Sequence, residues 1–428
     1  MTAVERVEVA IVGGGPSGSA LAARLAAAGR DVVVLERAPQ WRWRAGGVFA
    51  SSAAVDALRL AGLDEALLRS VTQPVPAMRV ETPAGASFRL TYGADRGGSP
   101  AVGFDRSRLD PALVELARSR GADIRLGATV IGADLASGGL AVRSPDGETT
   151  TLEATVVVGA DGLRSPIARA AGVARPVRLA PRIGLTYHLE DVAGDAPRDA
   201  RMRILPDGYV GVAPVPGGRV NVGIVLGRSW LPGLARDGVE AVTRSIVDAI
   251  PATADDPAVW RRGRRCDSVE GAWPLGHRVT RRAGMEGPGT GWLLVGDAAG
   301  FLDPFTGEGL HRAMVSAELA ARAILAGWSG RHDRQRHDRG HRDRRNGVGR
   351  RADALAAYDR TMRRRFVTKD AVSWLVQAFL ARPAWFEYAA RRIAARPAVR
   401  ATMGLVMGDL VPARWALDPR YLAALLAP

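Results

Sequence analysis

Cysteine, lysine and long apolar runs are scarce in this sequence of 428 residues. Cys266 is the only cysteine, which excludes an intrachain disulfide and a cysteine-based metal site and fits a reducing compartment. No segment approaches the roughly 18 apolar residues of a transmembrane helix, and the first apolar run is too short for a signal peptide. We therefore expect a cytoplasmic protein, soluble or peripheral at a membrane, with no metal site.

Basic residues outnumber acidic ones, with 59 Lys and Arg against 44 Asp and Glu and a formal net charge of +15. Lys369 is the only lysine, so nearly all of this charge is arginine. A solvated arginine-rich surface explains the excess, with an anionic membrane surface or a phosphate-bearing substrate as alternatives. No recognition motif accompanies the charge, so we expect no nucleic-acid partner.

The first forty residues have a βαβ pattern. A mostly β-branched run at 7–12 predicts a buried strand, 17–28 predicts a helix that ends at Gly29, and 31–36 predicts a second strand. Strands that are apolar on both faces are typical of a parallel sheet covered by helices. The fold class that we predict is therefore α/β, with a Rossmann-like domain.

The rest of the chain predicts a second sheet inserted into this domain. Alternating patterns at 78–82 and 87–92 and across 181–265 are typical of antiparallel strands, whereas helices at 51–61 and 110–120 and strands between 123 and 158 lead back to the parallel sheet. The predicted domains, in chain order of their parts, are a discontinuous nucleotide-binding domain (1–75, 99–180 and 275–328), a β-sheet substrate domain (76–98 and 181–274), a low-complexity loop (329–351) and a C-terminal helical region (352–428).

Two C-terminal segments could be mistaken for functional sites. The loop repeats His-Asp-Arg, but its histidines stand among arginines that repel a cation, so we expect a disordered surface segment. The region 352–428 is amphipathic, with Trp374, Phe379, Trp385 and other apolar side chains among arginines. These apolar residues either pack against the body of the protein or face lipid.

Three motifs carry the predicted chemistry, and the first is "VGGGPSG". Gly13 permits a tight turn, Gly15 lets a pyrophosphate approach the backbone, and Gly18 lets the helix pack on the strand. The helix N-terminus then faces the phosphates with the positive end of its dipole. Glu36, at the end of the second strand, is placed to bind the adenosine ribose. The motif indicates a dinucleotide, either NAD or FAD.

The other two motifs follow apolar strands. "VVVGADGLRSPIAR" places Asp161 and Gly162 directly after one strand, where Asp161 could also be a simple helix cap. "WLLVGDAAGFLDPFTGEGL" places Gly296 and Asp297 after another and continues through a Gly- and Pro-rich bend into a helix. A buried turn with so much backbone freedom is costly unless a ligand fills the space that side chains leave.

These three motifs in this order resemble those of the flavoprotein superfamily of para-hydroxybenzoate hydroxylase. The third is more similar to the geranylgeranyl reductase branch than to the aromatic hydroxylases. The resemblance is firm in 7–169 and 290–326 and implies non-covalent FAD, a glutathione reductase-type FAD-binding domain and a β-sheet substrate domain. It implies that Asp297 binds the ribityl chain, that the helix starting near Gly309 stabilises the reduced flavin, and that Val130 touches adenine. Arg106 matches an arginine near the cofactor, although an ion pair at a helix start would also explain it.

The full set of positions implied to contact FAD extends these motifs by their neighbours. It comprises Gly13, Gly15, Pro16, Ser17, Gly18, Glu36, Arg37, Gly46, Gly47, Arg106, Val130, Asp161, Gly162, Gly296, Asp297, Pro304, Gly307, Gly309 and Leu310.

The sequence departs from the resemblance at two places. Many reductases of this branch have Cys where this chain has Gly46, so a thiol role there is absent. They and the halogenases have larger residues in the strand that here reads "GYVGVAP", in which Tyr209, Gly211 and Ala213 share one face. We expect these three residues to face an apolar substrate cavity over the flavin. Lys369 lies in the C-terminal segment, so the halogenases' catalytic lysine is absent.

Three functions remain open on the sequence. The first is NAD(P)H-dependent reduction of carbon–carbon double bonds in an isoprenoid or lipid-like substrate, with hydride passing through the flavin and a proton supplied separately. The second is a monooxygenase of an apolar or aromatic substrate, and the third is a flavin-binding structural or redox-sensing protein. No proton donor is evident, and His311 and Tyr209 are the candidates.

Overall fold

The computed structural model describes residues 4–41, 43, 46, 48–93, 99–177, 181–191, 193–253, 258–287, 289–328 and 341–427, with the backbone alone for 341–346. Its strands are β1 (Glu5–Val12), β2 (Val32–Glu36), β3 (Phe49–Ala50), β4 (Thr72–Val75), β5 (Met78–Glu81), β6 (Ser87–Leu90), β7 (Ala101–Phe104), β8 (Asp123–Leu126), β9 (Thr129–Asp134), β10 (Gly139–Arg143), β11 (Thr149–Gly159), β12 (Ala174–Arg175), β13 (Ile183–Glu190), β14 (Ala200–Leu205), β15 (Gly208–Val215), β16 (Arg219–Leu226), β17 (Glu270–Ala272), β18 (Arg278–Val279), β19 (Ala283–Met285) and β20 (Gly291–Leu294). Its α-helices are α1 (Pro16–Ala27), α2 (Ser52–Ala61), α3 (Glu65–Val71), α4 (Arg106–Ser119), α5 (Pro166–Ala170), α6 (Leu231–Asp248), α7 (Gly309–Gly327), α8 (His341–Leu380), α9 (Pro383–Ala395), α10 (Pro397–Met407) and α11 (Pro419–Leu426).

The nucleotide-binding half is built on a parallel sheet, as the sequence predicts. Its strands run in the order β20-β11-β1-β2-β8, with β19 antiparallel at one edge and β10 and β9 continuing from β11 as an antiparallel extension. Val9, Ile11 and Val34 are completely buried, because α1, α4 and α7 pack with this sheet into one apolar core. The carboxyl ends of β1, β11 and β20 meet at one edge, which brings the three motifs together.

The second sheet has seven strands in the order β17-β13-β16-β15-β14-β5-β6. All its pairs are antiparallel except β14 with β5. One face packs on α6, and the other packs on the C-terminal helices. The patterns at 78–82 and 87–92 therefore belong, as predicted, to a sheet other than the parallel one.

Several predicted boundaries differ from the structure. The predicted helix 110–120 begins four residues earlier at Arg106, because the Asp105 side chain caps it by accepting from the Ser107 amide. The predicted loop 329–351 is wrong for 341–351, which form the start of α8, and 329–340 lie outside the described residues. A three-stranded sheet of β3, β7 and β4 was not predicted, because its strands have only two to four residues.

Candidate active site

The first motif forms a tight strand-to-helix turn between β1 and α1. Gly13 has a φ of +108°, and a Cβ there would lie 2.3 Å from the Ala160 carbonyl oxygen. A Cβ on Gly18 would lie 2.0 Å from the Gly13 oxygen, whereas a Cβ on Gly15 would meet nothing within 4 Å. The turn is therefore closed against the protein at Gly13 and Gly18 and open at Gly15, where a pyrophosphate could lie against the start of α1. Pro16 is the first residue of that helix.

The second strand supplies the acid expected at a ribose. Glu36 accepts hydrogen bonds from the Gly14 and Ala38 amides, each at 2.9 Å, which fixes its carboxylate beside the first turn. Arg37 is exposed, and β9, which carries the half-buried Val130, lies near β2. These contacts are compatible with an adenosine site, although its residue assignments stay predictions.

The second motif reaches the first through Asp161. A Cβ on Gly13 would lie 3.0 Å from the Asp161 amide nitrogen, and Gly162 has a φ of +76° with nothing in front of it. Ser165 is the N-cap of α5, and Asp161 Oδ2 accepts from the Ile167 amide in the first turn of this helix at 3.2 Å, so the helix-cap alternative is supported only in part. Its other oxygen is buried without a hydrogen-bond partner among the described residues. Burial raises the pKa of this carboxyl to about 6.

The third motif places a second buried carboxylate, that of Asp297, beside the first turn. Gly296 has a φ of +59°, and a Cβ there would lie 2.6 Å from Ser17 Oγ, so the two motifs are in close approach. The Asp297 carboxylate makes no hydrogen bond or ion pair within the described part of the chain, and burial raises its pKa to about 6 against the opposing charges of Arg312 and Arg106. Arg106 itself forms the ion pair of a helix start, with Asp110 at 2.6 and 2.8 Å.

The bend after Asp297 runs into the N-terminus of α7. Pro304 is exposed, Gly307 has a φ of +67°, and a Cβ on Gly307 would lie 3.0 Å from the Phe49 ring. Gly309 begins the 19-residue helix, and Leu310 is buried in the core below it. The positive end of the α7 dipole is therefore presented at this edge, as the resemblance implies for a reduced flavin.

An FAD molecule fits these residues. The space in front of Gly15 and the helix start at Pro16 suit a pyrophosphate, and the unpaired Asp297 carboxylate suits the ribityl hydroxyls, which can only donate to it. When bound, FAD supplies hydride chemistry that no side chain provides. Of the two remaining predicted contacts, Gly46 is exposed and Gly47 lies outside the described residues.

Tyr209, one predicted proton donor, belongs to a buried polar network near this bend. Its hydroxyl donates to Asp303, which also accepts from the Phe305 amide at 3.0 Å and lies 3.4 Å from an Arg182 nitrogen. Burial, followed by the charge of Asp303, raises the pKa of Tyr209 well above its ordinary value, and burial also raises the pKa of Asp303. Both groups therefore hold their protons more firmly than they would in water.

His311, the other predicted proton donor, faces a charge cluster instead. Its Nδ1 lies 3.3 Å from Asp409, which Lys369 also contacts at 2.7 Å, and Glu308 lies 3.8 Å from the same ammonium. Burial opposes ionisation of Asp409, but the hydrogen bond from His311 and the charge of Lys369 hold its pKa below the usual range. The sequence did not reveal this cluster, because Lys369, in α8, and Asp409, after α10, come from a part of the chain that follows the motifs.

The predicted apolar cavity lies beside, and not directly over, the predicted residues. Tyr209, Gly211 and Ala213 do share a sheet face, and a Cβ on Gly211 would meet nothing closer than 3.9 Å. A cavity of about 90 Å³ nevertheless lies over the neighbouring strands and the C-terminal helices. Its lining includes Met78, Val80, Phe88, Met202, Phe305, Thr306, Val372, Phe379, Phe386 and Ile393. The cavity thus extends from the third motif, at Phe305 and Thr306, to α9.

Comparison with known proteins agrees with this geometry. Residues 6–354 match the family described as "FAD binding domain". The chain is 30% identical to a menaquinone reductase of Mycolicibacterium smegmatis, over 75% of this chain and 77% of that protein. It is 29% identical to digeranylgeranylglycerophospholipid reductase 2 of Methanopyrus kandleri, over 74% and 77% of the two chains.

A solved structure shows the same fold. A geranylgeranyl bacteriochlorophyll reductase-like protein of Thermoplasma acidophilum superposes with a TM-score of 0.74 at 21% identity, and 99% of each chain is covered. The halogenase CmlS gives a TM-score of 0.65 at 25% identity, over 86% of this chain and 63% of that one. The resemblance to geranylgeranyl reductase-like flavoproteins is confirmed: the chain belongs to the FAD-binding-domain family and is an FAD-dependent oxidoreductase.

Proposed function

We propose that the protein reduces carbon–carbon double bonds of an isoprenoid or similar lipid, with NAD(P)H as the reductant. The observation that carries this proposal is the apolar cavity, because Phe305 and Thr306 line it and also belong to the third flavin motif. An apolar chain in this cavity would lie next to the flavin edge. The relatives named as menaquinone and digeranylgeranylglycerophospholipid reductases point to the same substrate class.

The cavity must widen to admit such a substrate. Its volume of about 90 Å³ is smaller than the roughly 150 Å³ cavity that holds one benzene molecule. Phe379, Phe386 and Met403 line it from helices rather than from the sheet, so rotation of these side chains is the simplest way to enlarge it.

Tyr209 and Asp303 are suited to hold the proton that the reduction consumes. The Tyr209 ring meets Phe305 edge-on, with 5.1 Å between ring centroids, and Phe305 lines the cavity, so the Tyr209 ring packs behind the cavity wall. After Tyr209 has given up its proton, Asp303, whose pKa is raised by burial, can take a proton from solvent and pass it to the Tyr209 oxygen. A positioned acid of this kind typically contributes 10²- to 10⁴-fold in rate.

The test uses purified flavin-loaded protein without oxygen. NADPH should bleach the flavin absorbance, and geranylgeraniol or an isoprenoid-bearing naphthoquinone should restore it and be recovered with fewer double bonds. Tyr209→Phe should slow the restoration by about a hundredfold without slowing the bleaching. Restoration only by O₂, with an oxygenated product, would establish the monooxygenase alternative instead.

We also propose that the C-terminal helices contact an anionic lipid surface. Trp385, Tyr388 and Leu426 are 51%, 39% and 44% exposed, and the Tyr388 hydroxyl donates to the Leu426 carbonyl, which joins α9 to α11. Arg382 and Arg392 lie over the Trp385 and Tyr388 rings, at 4.4 and 5.0 Å from their centroids. Aromatic rings flanked by arginines suit a membrane interface. No helix in the described residues is long and apolar enough to cross a membrane.

A further inference from the structure

A group of polar side chains is buried on the same sheet face as Gly211. Thr186 and His188 alternate with Tyr187 along β13, and Tyr187 packs in the apolar cluster on the opposite face. In the sheet register His188 is opposite Asn221 on β16. The three polar residues, Thr186, His188 and Asn221, are only 7%, 5% and 9% exposed. Neither the flavin motifs nor the apolar cavity includes them.

A carboxylate fixes the histidine of this group. Asp267 accepts from the His188 backbone amide at 2.8 Å with one oxygen and lies 2.6 Å from the ring Nδ1 with the other. Because a carboxylate only accepts, Nδ1 carries the hydrogen, and Nε2 of the neutral ring keeps a lone pair. On the neighbouring strand, Asn221 donates to Thr186 Oγ1 at 2.9 Å.

Two polar atoms here have no hydrogen-bond partner among the described residues, and one of them, Trp43 Nε1, is buried. His188 makes no hydrogen bond through Nε2, and the buried Nε1 of Trp43 has no acceptor. The two rings are in contact, with centroids 4.5 Å apart. An unpaired buried polar atom is costly, so the Trp43 N–H, on a ring in contact with His188, indicates a ligand group that satisfies it.

An open strip of sheet connects this group to the apolar cavity. Gly223 is opposite Gly211 on β15, and a Cβ on either residue would meet nothing closer than 3.9 Å. Gly211 is in turn opposite Met202, and Met202 is in register with Val80. Met202 and Val80 line the cavity. Strands are about 4.8 Å apart, so the strip from Gly223 to Met202 spans about 10 Å.

We infer that His188 and Trp43 bind a hydroxyl group at the polar end of the substrate, whose apolar chain crosses Gly211 and Gly223 to the cavity. A hydroxyl is the group that fits, because it donates one hydrogen to Nε2 and accepts another from Nε1. An ether or carbonyl oxygen could only accept. The inference rests on the proposed function for the identity of the chain, an isoprenoid, and assigns to His188 a positioning role.

The test compares the binding of three probes to flavin-loaded protein, namely geranylgeraniol, its methyl ether and the matching hydrocarbon. Binding is followed by the change in the flavin absorbance spectrum. His188→Phe keeps an aromatic ring beside Trp43 but removes the acceptor, and it should weaken geranylgeraniol binding about tenfold and binding of the ether and hydrocarbon less than twofold. Trp43→Phe, which removes a single N–H donor, should weaken the binding of both the alcohol and the ether.

Tyr187→Phe is the matched control, since it removes a hydroxyl from the opposite face of the same strand, and it should leave all three affinities unchanged. Equal weakening of the three probes by His188→Phe, or no weakening of the alcohol, would overturn the inference. If the His188→Phe protein does not fold, the Trp43→Phe protein provides the test. In that case an equal loss of affinity for all three probes overturns the inference. Selective loss of alcohol binding without double-bond reduction would support the hydroxyl site and refute the proposed function.

Discussion

FAD affinity should fall as the pH is lowered from 8 to 5, because the ligand-free site holds carboxyl groups with raised pKa values. Burial raises the pKa values of Asp297 and Asp161 to about 6 each. Ribityl hydroxyls donate to a carboxylate and so favour its charged form, which lowers the pKa of Asp297 on binding. A group whose pKa falls on binding releases a proton when FAD binds. The affinity for FAD is therefore highest above the pKa that this group has in the ligand-free protein, and it decreases below that pKa.

The magnitude follows from these values. If FAD binding lowers the pKa of Asp297 from about 6 to its ordinary value of 3.8, the affinity for FAD at pH 5 is about tenfold lower than at pH 8. Asp161 would add a similar factor to the pH dependence of FAD affinity if it also contacts FAD. Asp297→Asn removes the titration and a charge-assisted hydrogen bond of roughly 1.5–3 kcal/mol, so affinity at pH 8 should fall about ten- to a hundredfold.

The assay is titration of deflavinated protein with FAD at pH 5, 6, 7 and 8, followed by quenching of flavin fluorescence. The Asp297→Asn protein should bind FAD more weakly than the parent at pH 8. Between pH 8 and pH 5 its affinity should fall by about tenfold less than that of the parent. Glu115→Gln is a suitable control, because the Glu115 side chain is 71% exposed on α4. An Asp297→Asn protein with the pH dependence of the parent would refute the assignment of this carboxylate to the flavin.

Three further outcomes test other parts of the structure. Gly211→Trp should block bulky substrates and spare FAD binding, because it fills the strip between the polar group and the cavity; equal turnover by variant and parent would contradict this. Lys369→Met should destabilise the fold by about 3–5 kcal/mol in urea titrations, since it removes the buried ammonium that lies between the Asp409 and Glu308 carboxylates, and unchanged stability would show that the cluster is open to water. Trp385→Ala should reduce sedimentation with phosphatidylserine vesicles but not with neutral ones, and equal binding of both variants to anionic vesicles would exclude α9 from the contact.

The flavin motifs were readable from the sequence because their geometry is local. The positive φ of Gly13 and the close approach of Gly18 to Gly13 are properties of one strand-to-helix turn, so consecutive residues encode them. The role of Arg106 could not be decided from the sequence, because "DRSRLD" is compatible with a cofactor contact and with the ion pair to Asp110 that the structure shows. One short motif can serve both purposes.

The polar group around His188 could not be found from the sequence, because its partners are distant along the chain. Asp267 follows His188 by 79 residues, and Trp43 precedes it in another domain. Register decides which residues meet across a sheet, and register depends on the whole hydrophobic pattern rather than on a short motif. A histidine between the apolar residues Tyr187 and Leu189 of a predicted strand was the one local signal in "IGLTYHLE".

Substrate specificity in this protein is expected to depend on residues outside the matched family region. That region ends at residue 354, whereas Val372, Phe379 and Phe386 of the cavity come from α8 and α9 beyond it. Lys369 of α8 contacts Glu308, and Asp409, which follows α10, contacts His311, so both join the C-terminal region to the start of α7, beside the third flavin motif. Packing of the C-terminal helices therefore shapes the cavity, and we expect it also to set the distance between the cavity and the flavin. Relatives with the same three motifs can act on different lipids when these helices differ.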